Sequence, residues 1–362
     1  MIEKRKKIVI ATGGTGGHVL PALSLSNYLK NNYEIEIFSD KRGLKYFKNT
    51  ENVKVIKAGS IFNKNLFKTI INLNKIFFSV ISCFFYFKKN KPDIVFGMGG
   101  YSSFPACLAS YLLKVPIIIY ENNLVIGRAN KVLLPFVSKI LLSTNNISGI
   151  KKKYEKKILI SGYLLRDEIF ELENINNTGN NDQLSILIFG GSQSAKIFGE
   201  KVTDTIVQCN KKNIKFKIHQ QCLEEQMDEI KKIYSDNKIN FKLFSFAEKL
   251  SDHYKIADLA ITRSGASSIA ELINLRIPFI AIPLPSSADN HQLKNANNFQ
   301  KKGYCFLIEE KFIYPKLFEI LNDLNKKREK LLELKNKMKE HSDKDSLSKV
   351  SKFIEKFLNE KN

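Results

Sequence analysis

Arginine is scarce in this chain. Of 58 basic residues only seven are Arg (Arg5, Arg42, Arg128, Arg166, Arg263, Arg276, Arg328), although the net charge is +22 over 362 residues. Arg is the side chain that bidentate phosphate and guanine recognition favours. No aromatic RNA-binding signature accompanies the lysines, so a nucleic-acid partner is not expected. The five cysteines (Cys83, Cys107, Cys209, Cys222, Cys305) contain no C-x-x-C pair. A disulfide framework or zinc site is therefore not indicated, and a reducing cytoplasm fits. The N-terminus runs from Met1 to Lys7 straight into a short apolar strand, less than the about 7–15 apolar residues of a signal peptide, so export is not expected. A metal motif is missing too. The one Asp-x-Asp, Asp343-Lys344-Asp345, sits in a Lys-rich tail and reads as a solvated helix start.

What is present is ordinary globular composition, 43% hydrophobic and 26% charged, at a length that suggests two domains. The Lys surplus has two readings: an anionic partner, or a Lys-biased composition spread over solvated faces. Apolar β-type runs alternate with helix-like stretches. Ile8–Ile10, Glu34–Phe38, Asp93–Phe96, Val115–Tyr120 and Ile140–Leu142 look like buried strands of a parallel sheet. An Asn-rich break at 171–183 follows, and the pattern restarts with Ser185–Phe189, Lys215–His219, Asn240–Phe244, Leu259–Thr262 and Phe279–Ile282. Gly13-Gly14 and Gly190-Gly191 each follow an apolar strand, a weak internal repeat that makes each half a Rossmann-type unit. The stretch Phe312–Asn362 carries Leu and Ile at helical spacing among Lys and Glu, as surface helices do. The division predicted is 1–163, 164–340, and a C-terminal helix over 341–362 returning to the first domain.

Four glycines crowd the segment Gly13-Gly14-Thr15-Gly16-Gly17-His18, between a strand and a helix predicted over Pro21–Lys30. Such a turn lets backbone amides approach an anion at a helix N-terminus; the alternative is a tight turn without a ligand. It is not a Walker loop, since Gly-Lys-Ser/Thr is absent. His18 is either a general base for a hydroxyl nucleophile or a helix-capping or exposed residue. Gly97-Met98-Gly99-Gly100-Tyr101-Ser102-Ser103 ends a second strand at the same sheet edge, and Glu121-Asn122-Asn123 ends a third. In the second half, Gly190–Ala195 and Thr262–Glu271 place small polar residues at helix starts, which suit the two phosphates of a nucleoside diphosphate. Glu271 is either a carboxylate for ribose hydroxyls or an ordinary charged residue. If a diphosphate leaves, helix dipoles and amides must stabilise it in place of a cation; neither metal nor cofactor is expected.

Ile76–Phe87 is uncharged and aromatic, shorter than the roughly 20 residues of a membrane span. Lys64, Lys68 and Lys75 precede its end and Lys88, Lys89 and Lys91 follow it. It is a helix lying in an anionic lipid surface, a packing helix of the sheet, or both at once, one face packed and another reaching lipid. Lys75, Ile76, Phe77, Val80, Phe84, Phe87, Lys88 and Lys89 form the expected patch.

Together these motifs resemble the MurG family of peptidoglycan N-acetylglucosaminyltransferases, which act on undecaprenyl-linked muramyl-pentapeptide. The likeness rests on residues 13–24, 97–105, 121–123, 190–193 and 263–271. It implies a GT-B fold, two Rossmann-like α/β domains with parallel sheets facing a central cleft. It also implies an inverting transfer of N-acetylglucosamine from UDP-N-acetylglucosamine to the C4 hydroxyl of the lipid-linked acceptor, lipid I to lipid II, at the cytoplasmic face of the inner membrane. By the resemblance, His18 is the base; Thr15, Gly16, Gly17, Asn123, Arg166 and Ser192 contact the donor; Ala247 lends backbone to the uracil; Ala266, Ser267, Ser268, Ile269, Ala270 and Glu271 hold phosphates and ribose; and Gln292 reaches the sugar. Gly13, Gly14, Gly99, Gly100 and Tyr101 fall to the acceptor. The chain departs from the family at Ser194, at Tyr163-Leu164 and at Cys222. A same-fold glycolipid synthase using diacylglycerol is the alternative enzyme, and a basic nucleic-acid-binding protein the alternative of another class.

Overall fold

The computed structural model of the chain describes residues 5–47, 53–58, 66–172, 183–190, 195–245 and 250–360. It divides into two compact units, Met1–Arg166 together with Asp343–Asn362, and Asp167–Ser342.

The first unit is built on seven parallel strands, β1 (Lys7–Ala11), β2 (Glu34–Ser39), β3 (Val53–Val55), β4 (Ile94–Gly97), β5 (Ile117–Glu121), β6 (Lys139–Leu142) and β7 (Ile158–Ile160), in the order β3-β2-β1-β4-β5-β6-β7. The central strands are apolar on both faces because both faces are covered; Ile8, Val9, Ile10 and Ala11 are all 0% exposed. Alternation then sorts the side chains. Ile8, Ile10, Ile94 and Phe96 pack with Ala22, Leu25 and Leu29 of helix α1 (Gly16–Leu29) and with Leu347, Val350, Ile354 and Leu358 of the C-terminal helix Ser346–Asn359. Val9, Ala11, Val95, Ile117 and Ile119 pack with Cys83 and Phe87 of helix α2 (Leu66–Lys89) and with Ala106, Cys107 and Ala109 of helix α3 (Ser103–Leu112).

The second unit has six parallel strands, β8 (Leu184–Phe189), β9 (Phe216–Gln221), β10 (Asn240–Phe244), β11 (Leu259–Thr262), β12 (Phe279–Ala281) and β13 (Cys305–Leu307), in the order β10-β9-β8-β11-β12-β13. Ile186, Ile188, Ile218, Ile261 and Ile280 meet Phe198, Val202, Ile206, Leu317 and Leu321 in its core. In each sheet the strand order reverses once, between β1 and β4 and between β8 and β11. Open α/β sheets bind ligands beyond the strand ends at that reversal, and the glycine-rich segments follow these four strands.

Three sequence expectations change. The strands β3, β7 and β13, three residues each, have no counterpart in the apolar runs, because strands this short carry too little periodicity to stand out. Helix α1 begins at Gly16 and not at Pro21, which lies inside it. Gly16, Gly17 and His18 thus form its first turn rather than a loop before it. Asp343 is no solvated helix start: it is 4% exposed, and its Oδ1 accepts the buried N–H of Tyr163 at 2.9 Å. Gly162, at φ +84, packs so closely that a Cβ there would come within 2.1 Å of Ser346 Oγ. Tyr163 and Leu164, one of the places where the sequence departs from the pattern it resembles, are buried core residues beside this contact.

Candidate active site

In the first unit the turn after β1 is folded by its glycines. Gly13 and Gly14 adopt φ +152 and +83, and a Cβ on Gly13 would lie 2.4 Å from Ser102 Oγ and 2.8 Å from Asp40 Oδ1. Only glycine tolerates both the dihedral and the space. Thr15, the N-cap of α1, makes no side-chain capping bond, and the Gly16 N–H is met instead by the hydroxyl of Tyr46. His18 stands in the first turn of α1, half-buried, its carbonyl accepting from Thr12 Oγ1 at 2.9 Å. Its ring lies on the second glycine turn: a Cβ on Gly99, at φ +89, would sit 2.7 Å from His18 Nδ1, and one on Gly100, at φ +76, 3.5 Å from Cδ2. The structure therefore brings His18, Gly13, Gly14, Gly99 and Gly100 together.

The segment after β5 is held by one carboxylate. Glu121, 2% exposed, accepts on Oε1 from the backbone N–H and side-chain amide of Asn123 and on Oε2 from the Gly127 N–H and the Asn130 amide. Four donors fill its two oxygens. Glu121 thus orders the loop that presents Asn123, and its oxygens are spent on that task. Asn122, 3% exposed, reaches back to α1 and donates to Gly17 O at 3.0 Å.

In the second unit the helix Ala266–Asn274 begins directly after β11, with Gly265 as its N-cap and no side-chain capping bond. Nothing lies within 4 Å of a Cβ built on Gly265, so there is room beside the N-cap, while Ala266 and Ser267 of the first turn are 4% and 7% exposed. Thr262 Oγ1 and Ser264 Oγ are buried and lack partners among the described residues. Glu271 is 4% exposed, with Oε2 accepting from Tyr254 Oη at 2.7 Å. It is a buried, oriented carboxylate, unlike a solvated surface charge. Ile269 and Ala270 are fully buried, so neither side chain is presented to a ligand. Arg263, 5% exposed, bonds Glu310 at 2.5 Å and the carbonyls of Ile282 and Pro283 at 3.2 Å, and lies over the Phe198 ring. It ties the chain beyond β12 to the start of the helix. Gln292 Oε1 accepts the Leu284 N–H at 2.9 Å, and Asn295 donates to Ser264 O at 3.1 Å. His219 lies within β9 and faces inward: it is 5% exposed beside His253, which stacks on Phe244 at 3.6 Å.

Comparison with known proteins gives this geometry a family. Residues 8–142 match the glycosyltransferase family 28 N-terminal domain and residues 185–350 its C-terminal domain. This chain belongs to glycosyltransferase family 28. A relative from Pelagibacter ubique (strain HTCC1062), named "UDP-N-acetylglucosamine--N-acetylmuramyl-(pentapeptide) pyrophosphoryl-undecaprenol N-acetylglucosamine transferase", is 38% identical over 98% of this chain and 99% of its own. One of the same name from Francisella philomiragia is 32% identical over 99% of both. The crystal structure of Acinetobacter baumannii MurG superposes with TM-score 0.75 at 24% identity, covering 97% of this chain and 99% of that one. The family fold is GT-B, two Rossmann-like α/β units. It is shared with a UDP-GlcNAc 2-epimerase from Neisseria meningitidis, TM-score 0.66 at 15% identity, so the fold alone does not select transfer over epimerisation.

Among this family 28 chain's expected site residues, Ser192 and Ala247 lie outside the described residues, as does Ser194. Sequence reasoning passed over Asp40, Tyr254, Asn295 and the side chain of Arg263. Asp40, Tyr254 and Asn295 stand outside the local motifs and Arg263 within one, but the side chain of each acts on a partner distant in sequence. Among the described residues no group of three or more His, Cys, Asp or Glu could hold a metal ion.

Helix α2 corrects the expected patch. Ile76, Ser79, Cys83 and Phe87 are buried at helical spacing, and Ser79 Oγ donates to Lys57 O. Ile76 and Phe87 therefore belong to the core and not to a lipid face. The exposed stripe is Ile70, Leu73, Phe77, Phe78, Ile81 and Phe85, where Phe77, Phe78 and Phe85 are 59%, 66% and 65% exposed. Val80 and Phe84 lie at its border, and Lys75, Lys88 and Lys89 are exposed beside it; Lys64 lies outside the described residues. Thr69–Lys89 is long and apolar enough to cross a membrane, with mean hydropathy 1.6, yet its inward side chains are part of the first unit's core.

Proposed function

We propose that this glycosyltransferase moves N-acetylglucosamine from UDP-N-acetylglucosamine to the C4 hydroxyl of undecaprenyl-pyrophosphoryl-N-acetylmuramyl-pentapeptide. The observation that carries the reading is full-length similarity to relatives bearing that activity in their names, joined to a His18 held against the Gly99-Gly100 turn.

In this mechanism His18 accepts the proton of the acceptor hydroxyl as that oxygen attacks the anomeric carbon, and the C–O bond to UDP breaks with inversion. The departing diphosphate gathers negative charge, which the first turn of Ala266–Asn274 stabilises through its N–H groups. Glu271 accepts from the ribose hydroxyls, Tyr254 holding its other side. Asn123, Arg166, Ser192, Ala247 and Gln292 complete the donor contacts, with Thr15, Gly16 and Gly17. Gly13, Gly14, Gly99, Gly100 and Tyr101 line the acceptor's place.

The enzyme works on a lipid, and the exposed stripe of α2 supplies a matching surface. Six aliphatic and aromatic side chains flanked by Lys75, Lys88 and Lys89 suit an anionic bilayer on its cytoplasmic side. The chain lies on that surface instead of crossing it, because the opposite side of the helix is committed to the sheet.

Transfer of radiolabelled N-acetylglucosamine from its UDP conjugate onto lipid-linked muramyl-pentapeptide, run against diacylglycerol, tests the reading. Labelling of the muramyl lipid supports it. Labelling of diacylglycerol alone would replace it with glycolipid synthesis.

A further inference from the structure

The chain after β2 supplies a group that neither the motifs nor the mechanism uses. Asp40, 4% exposed, accepts four bonds: Gly14 N–H at 2.9 Å and Gly43 N–H at 3.0 Å on Oδ1, and Arg42 Nε at 2.9 Å and Nη2 at 2.6 Å on Oδ2. Burial works to raise its pKa, but the Gly14 amide, the Arg42 guanidinium and the Gly43 amide outweigh it, and the carboxyl sits below the ordinary carboxylate range. A carboxylate with both oxygens filled is turned inward as a structural centre. The Arg42 side chain that it grips is 63% exposed, and Nη2 comes within 3.6 Å of the place a Cβ on Gly14 would take.

We propose that Arg42 contacts a phosphate oxygen of one of the diphosphate substrates at the Gly13–Gly17 turn, and that Asp40 is the positioning residue that aims it. A guanidinium has five N–H donors, and two go to Asp40. The other donors remain for a ligand beside the first turn of α1, where the helix dipole also favours an anion. Ser102 Oγ, 0% exposed and without a partner among the described residues, lies beside Gly13 on the same side as Asp40 Oδ1, since both fall within 2.8 Å of the place a Cβ on Gly13 would take. Charge agrees: Lys41 and Lys45 are exposed on the same turn, and its one acid, Asp40, faces in. Gly43 cannot be replaced without disturbing this packing, since a Cβ there would lie 2.2 Å from Ser39 Oγ and 3.3 Å from Gly13 Cα.

The inference rests on the transferase reading only for the identity of the substrates. Its test is kinetic and calorimetric, on the full chain. Arg42→Ala should raise KM for one diphosphate substrate about tenfold or more with kcat changed less than about threefold, the scale of a lost charge-assisted hydrogen bond. Arg42→Lys should recover part of that loss, and Asp40→Asn should shift the same KM although the guanidinium remains. Which KM moves distinguishes the sugar nucleotide from the lipid-linked diphosphate. In calorimetry, inorganic pyrophosphate should bind Arg42→Ala at least tenfold more weakly than the parent chain. Unchanged KM values together with unchanged pyrophosphate affinity would overturn the proposal, as would equal losses in both KM values with a lowered unfolding midpoint, the mark of a structural role. A parent chain that transfers no sugar but loses pyrophosphate binding on Arg42→Ala would sink the transferase reading and leave this one standing.

Discussion

The side-chain amide of Asn122 donates to the carbonyl of Gly17, the carbonyl that Pro21, four residues further along α1 and without an N–H, cannot serve. A proline that would leave a helix carbonyl unmet is thus accommodated by the chain end of a different strand, and the first turn of α1, which carries His18, is tied to the end of β5. Asn122→Ala should lower stability by about 1–3 kcal/mol, the range for stranding a buried polar group, and should lower kcat by loosening His18. Pro21→Ala restores an N–H at the same place, so the double variant should be more stable than Asn122→Ala alone in urea unfolding. No recovery would show that the two residues do not share this carbonyl.

His18→Ala should reduce kcat by about 10²–10⁴, the usual yield of a positioned general base, while the affinity for UDP-N-acetylglucosamine stays within about twofold. Single-turnover rates with purified lipid acceptor and calorimetry of donor binding separate the two. Full turnover without the imidazole removes His18 from the role of base.

Glu271→Ala should weaken UDP binding by about tenfold, and it leaves the buried Tyr254 hydroxyl without its acceptor. Tyr254→Phe removes the hydroxyl and keeps the carboxylate, so a smaller loss is expected. Equal UDP affinity in Glu271→Ala and the parent chain, by calorimetry, would reduce Glu271 to an internal partner of Tyr254.

Burial, helped by Lys217, His253 and Lys242, pushes the His219 imidazole down to about 4. It is neutral in the fold, whereas an unfolded His titrates near 6.5. Its contribution to stability is intact above about pH 6.5 and is lost as pH falls through about 4, because protons then favour the unfolded chain. His219→Gln should flatten the decline in unfolding free energy between those pH values. Parallel pH profiles for the two proteins would contradict the assignment.

The two sides of α2 should respond differently to substitution. Phe77→Ser combined with Phe85→Ser should cut binding to anionic phospholipid vesicles several-fold in sedimentation, with the unfolding midpoint little changed, since both side chains are exposed. Phe87→Ala, on the buried side, should instead cost about 3–5 kcal/mol of stability. Vesicle binding that survives loss of both exposed rings would move the lipid contact elsewhere.

The central strands and the glycine turns were legible in the sequence because each is a local signal: a run of β-branched residues, or glycine where φ is positive. What a side chain does once it is inside was not. Ile76 and Phe87 read as lipid-facing because composition does not tell the two sides of an apolar helix apart until the sheet beneath it is placed. Asp343 read as solvated because its partner, the Tyr163 amide, lies 180 residues away. The same limit hid Asp40, whose neighbours Gly14 and Gly43 meet only when β2 pairs with β1.

The Asp343 contact and the helix that follows it make the second unit an insertion within the first, since residues 167–342 leave and re-enter the same body. No single cut of the chain yields two complete units. A fragment ending at Arg166 would lack Leu347, Val350, Ile354 and Leu358 and would present the faces of Ile8, Ile10 and Phe96 to water. The first unit can be made alone only by deleting residues 167–342 and rejoining its ends.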